Sequence, residues 1–202
     1  MVPNFTPTTV DGLVASIADR ARAFEHRAVL AVEGADAAHP VPFAERICAT
    51  LRAEGRPAAV VALADFIRPA SVRLEYGHTD EQSYRTAWFD YTALQREVVD
   101  GLRVRGRWLP RLWDARTDRS PRAALQSAGP SDVVIVAGPM LRGRGLRFDL
   151  TVALAMSEPA LRRNTAPDEL WTVAALMRHE RDAEPADIAV RWDHPDRPAV
   201  QT

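Results

Sequence analysis

The chain has 202 residues with a formal net charge of −1, and 26% of its residues are charged and 47% hydrophobic. This ordinary globular composition excludes general disorder and any overall electrostatic attraction to nucleic acid or an anionic membrane. No apolar run approaches the ~20 residues of a membrane span and no signal peptide is visible, so we expect a cytoplasmic protein. The single cysteine, Cys48, excludes an internal disulfide, and we expect it to pack in the core.

The first third of the chain alternates between helix and strand. The predicted elements are, in order, a helix at 8–24, a strand at 26–33, a loop at 34–42, a helix at 43–54 and a strand at 57–63. Thr8 or Thr9 is the expected N-cap of the first helix, and Gly55 is the expected C-cap of the second. Because a helix connects the two strands, we expect them to run parallel.

The rest of the chain continues this alternation after an irregular middle. The predicted elements are a loop at 64–79, helices at 80–88 and 91–102, a short hairpin or strand at 103–113, a loop at 114–130, strands at 132–137 and 148–155, helices at 158–163 and 167–181, and a strand at 187–192. The pattern predicts a three-layer α/β domain with a mostly parallel sheet. Ligands bind such sheets beyond the carboxyl ends of the strands, here the loops at Gly34, Ala64, Gly138 and Met156.

All 26 basic residues are arginine, so the chain contains no lysine. A lysine amine is required for a Schiff base, for a lysine general base and for the standard phosphate-binding loop. The sequence therefore excludes each of these mechanisms in its usual form.

Five segments carry a resemblance to a known family: AVLAVEGADAAHPVPFAERI, VVALADFIRPA, WFDYTALQREVVDGL, DVVIVAGPML and FDLTVALAMSEPALRR. In this order they resemble five parts of the uridine kinase family of P-loop nucleoside kinases. These parts are the first strand with the phosphate loop, the strand with the catalytic Asp, a helix near the nucleoside, the fourth strand, and the fifth strand with the arginine-bearing lid. The resemblance spans about residues 27–200 and implies one P-loop kinase-like domain over 1–202, with a lid and following helix at 157–181.

The phosphate loop of that family reads G-x-x-x-x-G-K-[ST], and this chain departs from it. Gly34 matches the first glycine, whereas His39, Pro40 and Val41 stand at the second glycine, the lysine and the magnesium-binding hydroxyl. Pro40 and Pro42 remove two backbone N–H donors. Because His39 and Val41 each precede a proline, we expect extended backbone at both.

The acidic positions of the family are displaced as well. Its catalytic Asp aligns with Ala64, which leaves the next residue, Asp65, as the candidate base, and the acid of its fourth strand aligns with Ala137. We therefore predict a uridine-kinase-like protein with an eroded phosphate loop. It is expected to be catalytically inactive, or to bind only a nucleoside, a nucleotide or another phosphorylated small molecule.

Two alternatives stay open from the sequence. The first is an active nucleoside kinase that uses ATP and Mg²⁺, with Arg68 or Arg144 in place of the lysine and Asp65 as the base. The second is a non-catalytic scaffold or regulatory protein, for which a homodimer through Trp108 and Trp113 is a candidate assembly.

The candidate ligand-binding residues combine the loop, an apolar wall and several arginines. Three aromatic residues are expected to form the wall for a base or another flat ligand. The full set is Gly34, Asp36, His39, Phe66, Arg68, Tyr76, Trp88, Arg116, Arg144, Arg162 and Arg163.

Three further features have less specific interpretations. Asp36 and His39 in one loop do not define a metal site, and we predict no metal. The arginines of 103–111 are expected on a solvated strand face rather than on nucleic acid. The arginine-rich segment 142–147 either contacts an anionic ligand or forms a solvated turn.

Overall fold

A seven-stranded sheet organises the computed structural model, which describes residues 4–201. The strands are β1 (Phe5–Pro7), β2 (Ala28–Glu33), β3 (Ala58–Ala62), β4 (Arg107–Trp108), β5 (Gln126–Ser127), β6 (Val133–Gly138), β7 (Leu150–Ala155), β8 (Ile188–Arg191) and β9 (Ala199–Gln201). The helices are α1 (Val10–Arg22), α2 (Pro40–Ala53), α3 (Ala70–Arg73), α4 (Glu81–Thr86), α5 (Tyr91–Leu94), α6 (Glu158–Asn164) and α7 (Thr172–Asp182). No helix in the described part of the chain is long and apolar enough to cross a membrane.

The strand order in the sheet is β1-β9-β8-β7-β2-β6-β3. Strands β3, β6, β2, β7 and β8 are parallel neighbours, and β1 and β9 add an antiparallel edge. The first parallel strand, β2, therefore lies at the centre between β6 and β7. This order brings the carboxyl ends of β2, β3, β6 and β7 to one edge of the sheet, as the sequence predicts.

Two hydrophobic clusters cover the two faces of the sheet. Successive side chains of β2 alternate between them: Leu30 belongs to the cluster formed with α1 and α2, and Val29 belongs to the cluster formed with residues 91–105. This alternation is the period of two expected of a strand. The predicted three-layer α/β architecture is confirmed.

The capping residues predicted from the sequence lie at the start of α1 and at the end of α2. The Gly12 amide donates a hydrogen bond to Thr9 Oγ1 at 3.0 Å, so Thr9 caps α1. Gly55 follows α2 with φ of +81°, the left-handed conformation that glycine adopts without a Cβ penalty. Strands β1 and β9 were not predicted, because three residues are too few to show a period.

The prediction of a strand or hairpin across 103–113 is wrong for its first half. After α5 the helix continues in two wide turns, Gln95–Val99 and Gly101–Arg105, so Arg103 and Arg105 are helical. Gly106, with φ of +63°, ends this run, and the strand that follows is only β4, which pairs with β5. The helix predicted at 167–181 is also divided, into a 3₁₀ turn at Pro167–Glu169 and α7.

Gly138 gives a test of the close packing at this sheet edge. A Cβ built on Gly138 would lie 2.6 Å from Leu63 Cβ, and its φ is +155°. We expect Gly138→Ala to lower the free energy of unfolding by about 3 kcal/mol, the upper part of the range for overpacking. Urea denaturation measures this loss.

Gly143→Ala is the matched control. Its φ is +67°, but no atom lies within 4 Å of the added Cβ, so only the backbone penalty of about 1 kcal/mol is expected. Equal losses in the two variants would show that the contact with Leu63 does not constrain the fold.

Candidate functional site

The loop after β2 reverses the chain through a left-handed residue. The 3₁₀ turn Asp36–Ala38 is followed by His39, whose φ and ψ are both 53° and which is the N-cap of α2. The predicted extended backbone at His39 and Val41 is therefore wrong, since His39 is left-handed and Val41 is helical. The physical reason is that Pro40 has the fixed φ of a first helical residue, and the sharp turn needed to enter α2 falls on His39.

The first turn of α2 has few free amide groups. Pro40 and Pro42 have no N–H, and the Phe43 amide already donates to the His39 carbonyl at 3.2 Å. Only the Val41 amide is left among the first four helical residues. A helix N-terminus binds anions through free N–H groups, so the N-terminus of α2 has few donors for an anion.

A cleft of about 440 Å³ opens beside this loop. One side is the loop itself, and the other is the segment that joins α6 to α7. Its lining residues are Ala35, Asp36, Ala37, His39, His78, Tyr84, Trp88, Asn164, Thr165, Ala166, Asp168, Glu169, Trp171, Thr172 and Leu176. The charged lining thus consists of three carboxylates and two histidines, with no arginine.

The surroundings of Asp36 in this cleft change its pKa. Although solvent reaches Asp36, the surrounding protein raises the pKa of its carboxyl by desolvation, and the negative charge of Glu169 raises it further. His39 opposes the shift. Within residues 4–201, none of Asp36, Asp168 and Glu169 takes part in an ion pair.

Three aromatic rings form a wall of the cleft. The ring centroid of Tyr84 lies 5.1 Å from Trp88 and 5.4 Å from Trp171, both edge to face, and the two tryptophans are 5.3 Å apart. The Trp88 carbonyl accepts a hydrogen bond from the Arg68 amide at 2.8 Å, and the Arg73 guanidinium lies 5.5 Å from the Trp88 ring centroid. These contacts attach the wall to the chain that follows β3.

A buried charge network lies directly before the loop, at the end of β2. The Glu33 carboxylate accepts hydrogen bonds from the Arg142 amide at 2.5 Å, from Arg142 Nε at 2.8 Å and from His179 Nε2 at 3.1 Å. Arg142 also donates to Glu180 at 2.6 Å and to the Glu184 carbonyl at 2.9 Å. The side chains of Glu33 and Arg142 are only 5% and 7% exposed.

The partners of Glu33 determine its ionisation. Burial alone would raise the pKa of this carboxyl, but the hydrogen bond from His179 and the charge of Arg142 outweigh burial and lower the pKa from 4.5 to about 2. Glu33 is therefore charged at neutral pH, and it lines a small cavity of about 40 Å³.

Comparison with known proteins identifies the fold. No protein-family model and no curated protein matches the sequence. A possible uridine kinase from Bacillus stearothermophilus superposes with a TM-score of 0.68 at 20% identity, over 89% of this chain and 96% of its own. A candidate fructose transport system kinase from Silicibacter sp. TM1040 gives a TM-score of 0.69 at 21% identity, over 90% and 98%. The chain has a P-loop kinase-like fold.

The P-loop kinase-like fold brings together only part of the predicted binding set. Asp36, His39 and Trp88 line the cleft, and Gly34 begins the loop beside it. Phe66 is fully buried in the core, whereas Tyr76 is 74% exposed and lies outside the cleft.

The predicted arginines do not line the cleft. Arg144 lies over the Tyr91 ring at 5.1 Å, and Arg162 pairs with Glu158 one helical turn away. The others outside the cleft lining are Arg68, Arg116 and Arg163. The arginines of the segment 142–147 also have partners within the protein. Arg142 is buried in the network with Glu33, and Arg147 pairs with Asp100 at 2.7 Å.

Asp65 lies in the turn after β3 and is held by a cation. Arg111 Nε donates to its carboxylate at 2.7 Å, and Asp65 is not among the residues that line the cleft. Among the described residues, no three His, Cys, Asp or Glu side chains are placed to hold a metal ion.

Sequence reasoning missed Tyr84, His78 and the acidic pair Asp168–Glu169, which come from segments far from the loop. It also missed the Glu33–Arg142 pair. The one signal for that pair was a charged residue at the end of an otherwise apolar strand.

Glu33 makes stability depend on pH. Because its pKa is lowered on folding, its contribution is present above pH 4.5 and is lost as pH falls toward 2. We expect Glu33→Gln to remove about 3 kcal/mol at pH 7 and less at pH 3, measured by urea unfolding.

The control for this prediction is Glu158→Gln. Glu158 and Arg162 are each 51% exposed, so this variant should lose no more than about 0.5 kcal/mol at either pH. A Glu33→Gln variant that behaves like the control would contradict the role of the network.

Proposed function

We propose that this P-loop kinase-like chain does not transfer phosphate from ATP and instead binds a small, non-phosphorylated molecule in the cleft beside the Gly34 loop. The observation that carries the proposal is the charge of the cleft. Asp36, Asp168 and Glu169 line it, no arginine lines it, and the chain has no lysine.

Phosphoryl transfer depends on positive groups that stabilise the charge of the transferred phosphate. The residues at the loop do not fit magnesium-ATP. Pro40 stands at the lysine position, Val41 has no hydroxyl for magnesium, and β6 carries Ala137 at the acidic position. These features support a loss of catalysis.

The lining also discriminates among the predicted ligand classes. A phosphate in this cleft would face carboxylates, and both desolvation and the charge of Glu169 already raise the pKa of Asp36. An uncharged nucleoside has no such conflict, and the aromatic wall suits a flat ring. We therefore favour ligands without phosphate over nucleotides and phosphorylated small molecules.

The two alternatives have less support. An active kinase needs Arg68 or Arg144 at the terminal phosphates and a free Asp65, but neither arginine lines the cleft and Asp65 is paired with Arg111. A homodimer through the tryptophans would have to rely on Trp113, because Trp108 is buried within the protomer.

The proposal predicts that ATP with Mg²⁺ and uridine gives no ADP above the blank, and that calorimetry detects no ATP binding. The physical reason is that the loop supplies neither a lysine nor a magnesium-binding hydroxyl.

Asp65→Asn distinguishes the alternatives in the same assay. ADP formation by the wild-type chain that this variant abolishes would overturn the proposal and assign Asp65 as the base of an active kinase. ADP formation that survives in the variant would point to a contaminating enzyme, and repurification must then remove it.

A further inference from the structure

We infer that the cleft recognises a small organic cation, whose ammonium group lies between the Asp36 and Glu169 carboxylates and against the aromatic wall of Tyr84, Trp88 and Trp171. The inference rests on the proposed function, since it assigns a ligand class to that same cleft. Three observations support it, and each comes from a different property of the site.

The first observation is a group of carboxylates without an ion-pair partner. Asp36, Asp168 and Glu169 line one open cleft, and none pairs with a cation within the described residues. Desolvation raises the pKa of Asp36, and the charge of Glu169 raises it further. A cation between the two carboxylates would remove this repulsion, whereas an anion would add to it.

The second observation is the Tyr84 hydroxyl. Tyr84 is 5% exposed, it lines the cleft, and no hydrogen bond involves its hydroxyl among the residues that the structure describes. The hydroxyl is not one of the enclosed side-chain atoms that lack a partner, so it reaches the open space of the cleft, where a bound ligand can contact it. Burial raises the pKa of this phenol and the charge of Asp36 raises it further, so the hydroxyl stays protonated and close to the carboxylates.

The third observation is the aromatic wall itself. Aromatic faces attract ammonium and guanidinium groups, and tryptophan does so most strongly. The Arg73 guanidinium already lies 5.5 Å from the Trp88 centroid, so this ring accepts a cation within the fold. In such a ligand the carboxylates would bind the ammonium group, and the tryptophan rings would contact the carbon atoms attached to it.

Matched pairs of charged and neutral probes test the inference. Choline is compared with 3,3-dimethyl-1-butanol, and phenethylamine with 2-phenylethanol, so that shape is kept and charge is removed. Calorimetry is run at pH 8 in the same buffer for all four probes. We expect one or both charged probes to bind about tenfold or more tightly than their neutral partners.

Charge-removing variants locate the site. Glu169→Gln and Asp36→Asn should each weaken binding of the charged probe by about tenfold. Glu45→Gln is the control, since Glu45 is an exposed carboxylate on α2 that does not line the cleft. Because Asp36 and Glu169 are solvent-accessible, the melting temperatures of these variants should stay near that of the wild type.

The outcomes separate the inference from the proposed function. Equal binding of charged and neutral probes, no binding of either amine, or loss of binding in Glu45→Gln as well would overturn the inference and leave the proposed function standing. Binding of Mg²⁺ alone that both cleft variants abolish would assign the carboxylates to a metal and also overturn it. ATP turnover by the wild-type chain would overturn the proposed function.

Discussion

The buried charge pair between Glu33 and Arg142 constrains the whole carboxyl edge of the sheet. Two charges removed from water are tolerated only if their hydrogen bonds are satisfied, and this pair uses His179 and Glu180 to satisfy them. It joins the central strand β2 to the segment after β6 and to α7. Because Glu33 immediately precedes Gly34, the loop starts from a fixed position, and the cleft beside it is built on this pair.

The cleft lies beside the loop that joins the central strand β2 to α2, and its charged lining is mainly acidic. In the P-loop kinase-like fold the first strand leads into a loop and a helix N-terminus, and this chain keeps that path at 20–21% identity to two kinase-like structures. The prolines at the start of α2 remove amide donors, and Asp36 and Glu169 supply negative charge. A fold does not imply a function, so the chemistry of this lining carries our proposal.

Much of the fold could be predicted because it rests on local patterns. The apolar runs of β2, β6 and β7, the threonine cap of α1 and Gly55 each depend on a few neighbouring residues. The errors arose where long-range contacts decide the outcome. Strands β1 and β9 pair with each other and with β8, and the helical turns at 95–105 bury Val98 and Leu102 in the core.

The sequence by itself determined which residues are available to the loop after β2: the chain has no lysine, and Pro40, Val41 and Pro42 follow one another there. These are properties of composition and of neighbouring residues, so no folding is needed to know them. The tertiary structure alone decided which groups meet. Asp36, Tyr84 and Glu169 are far apart in the chain, and only the order of the strands and the packing of the helices bring them to one cleft.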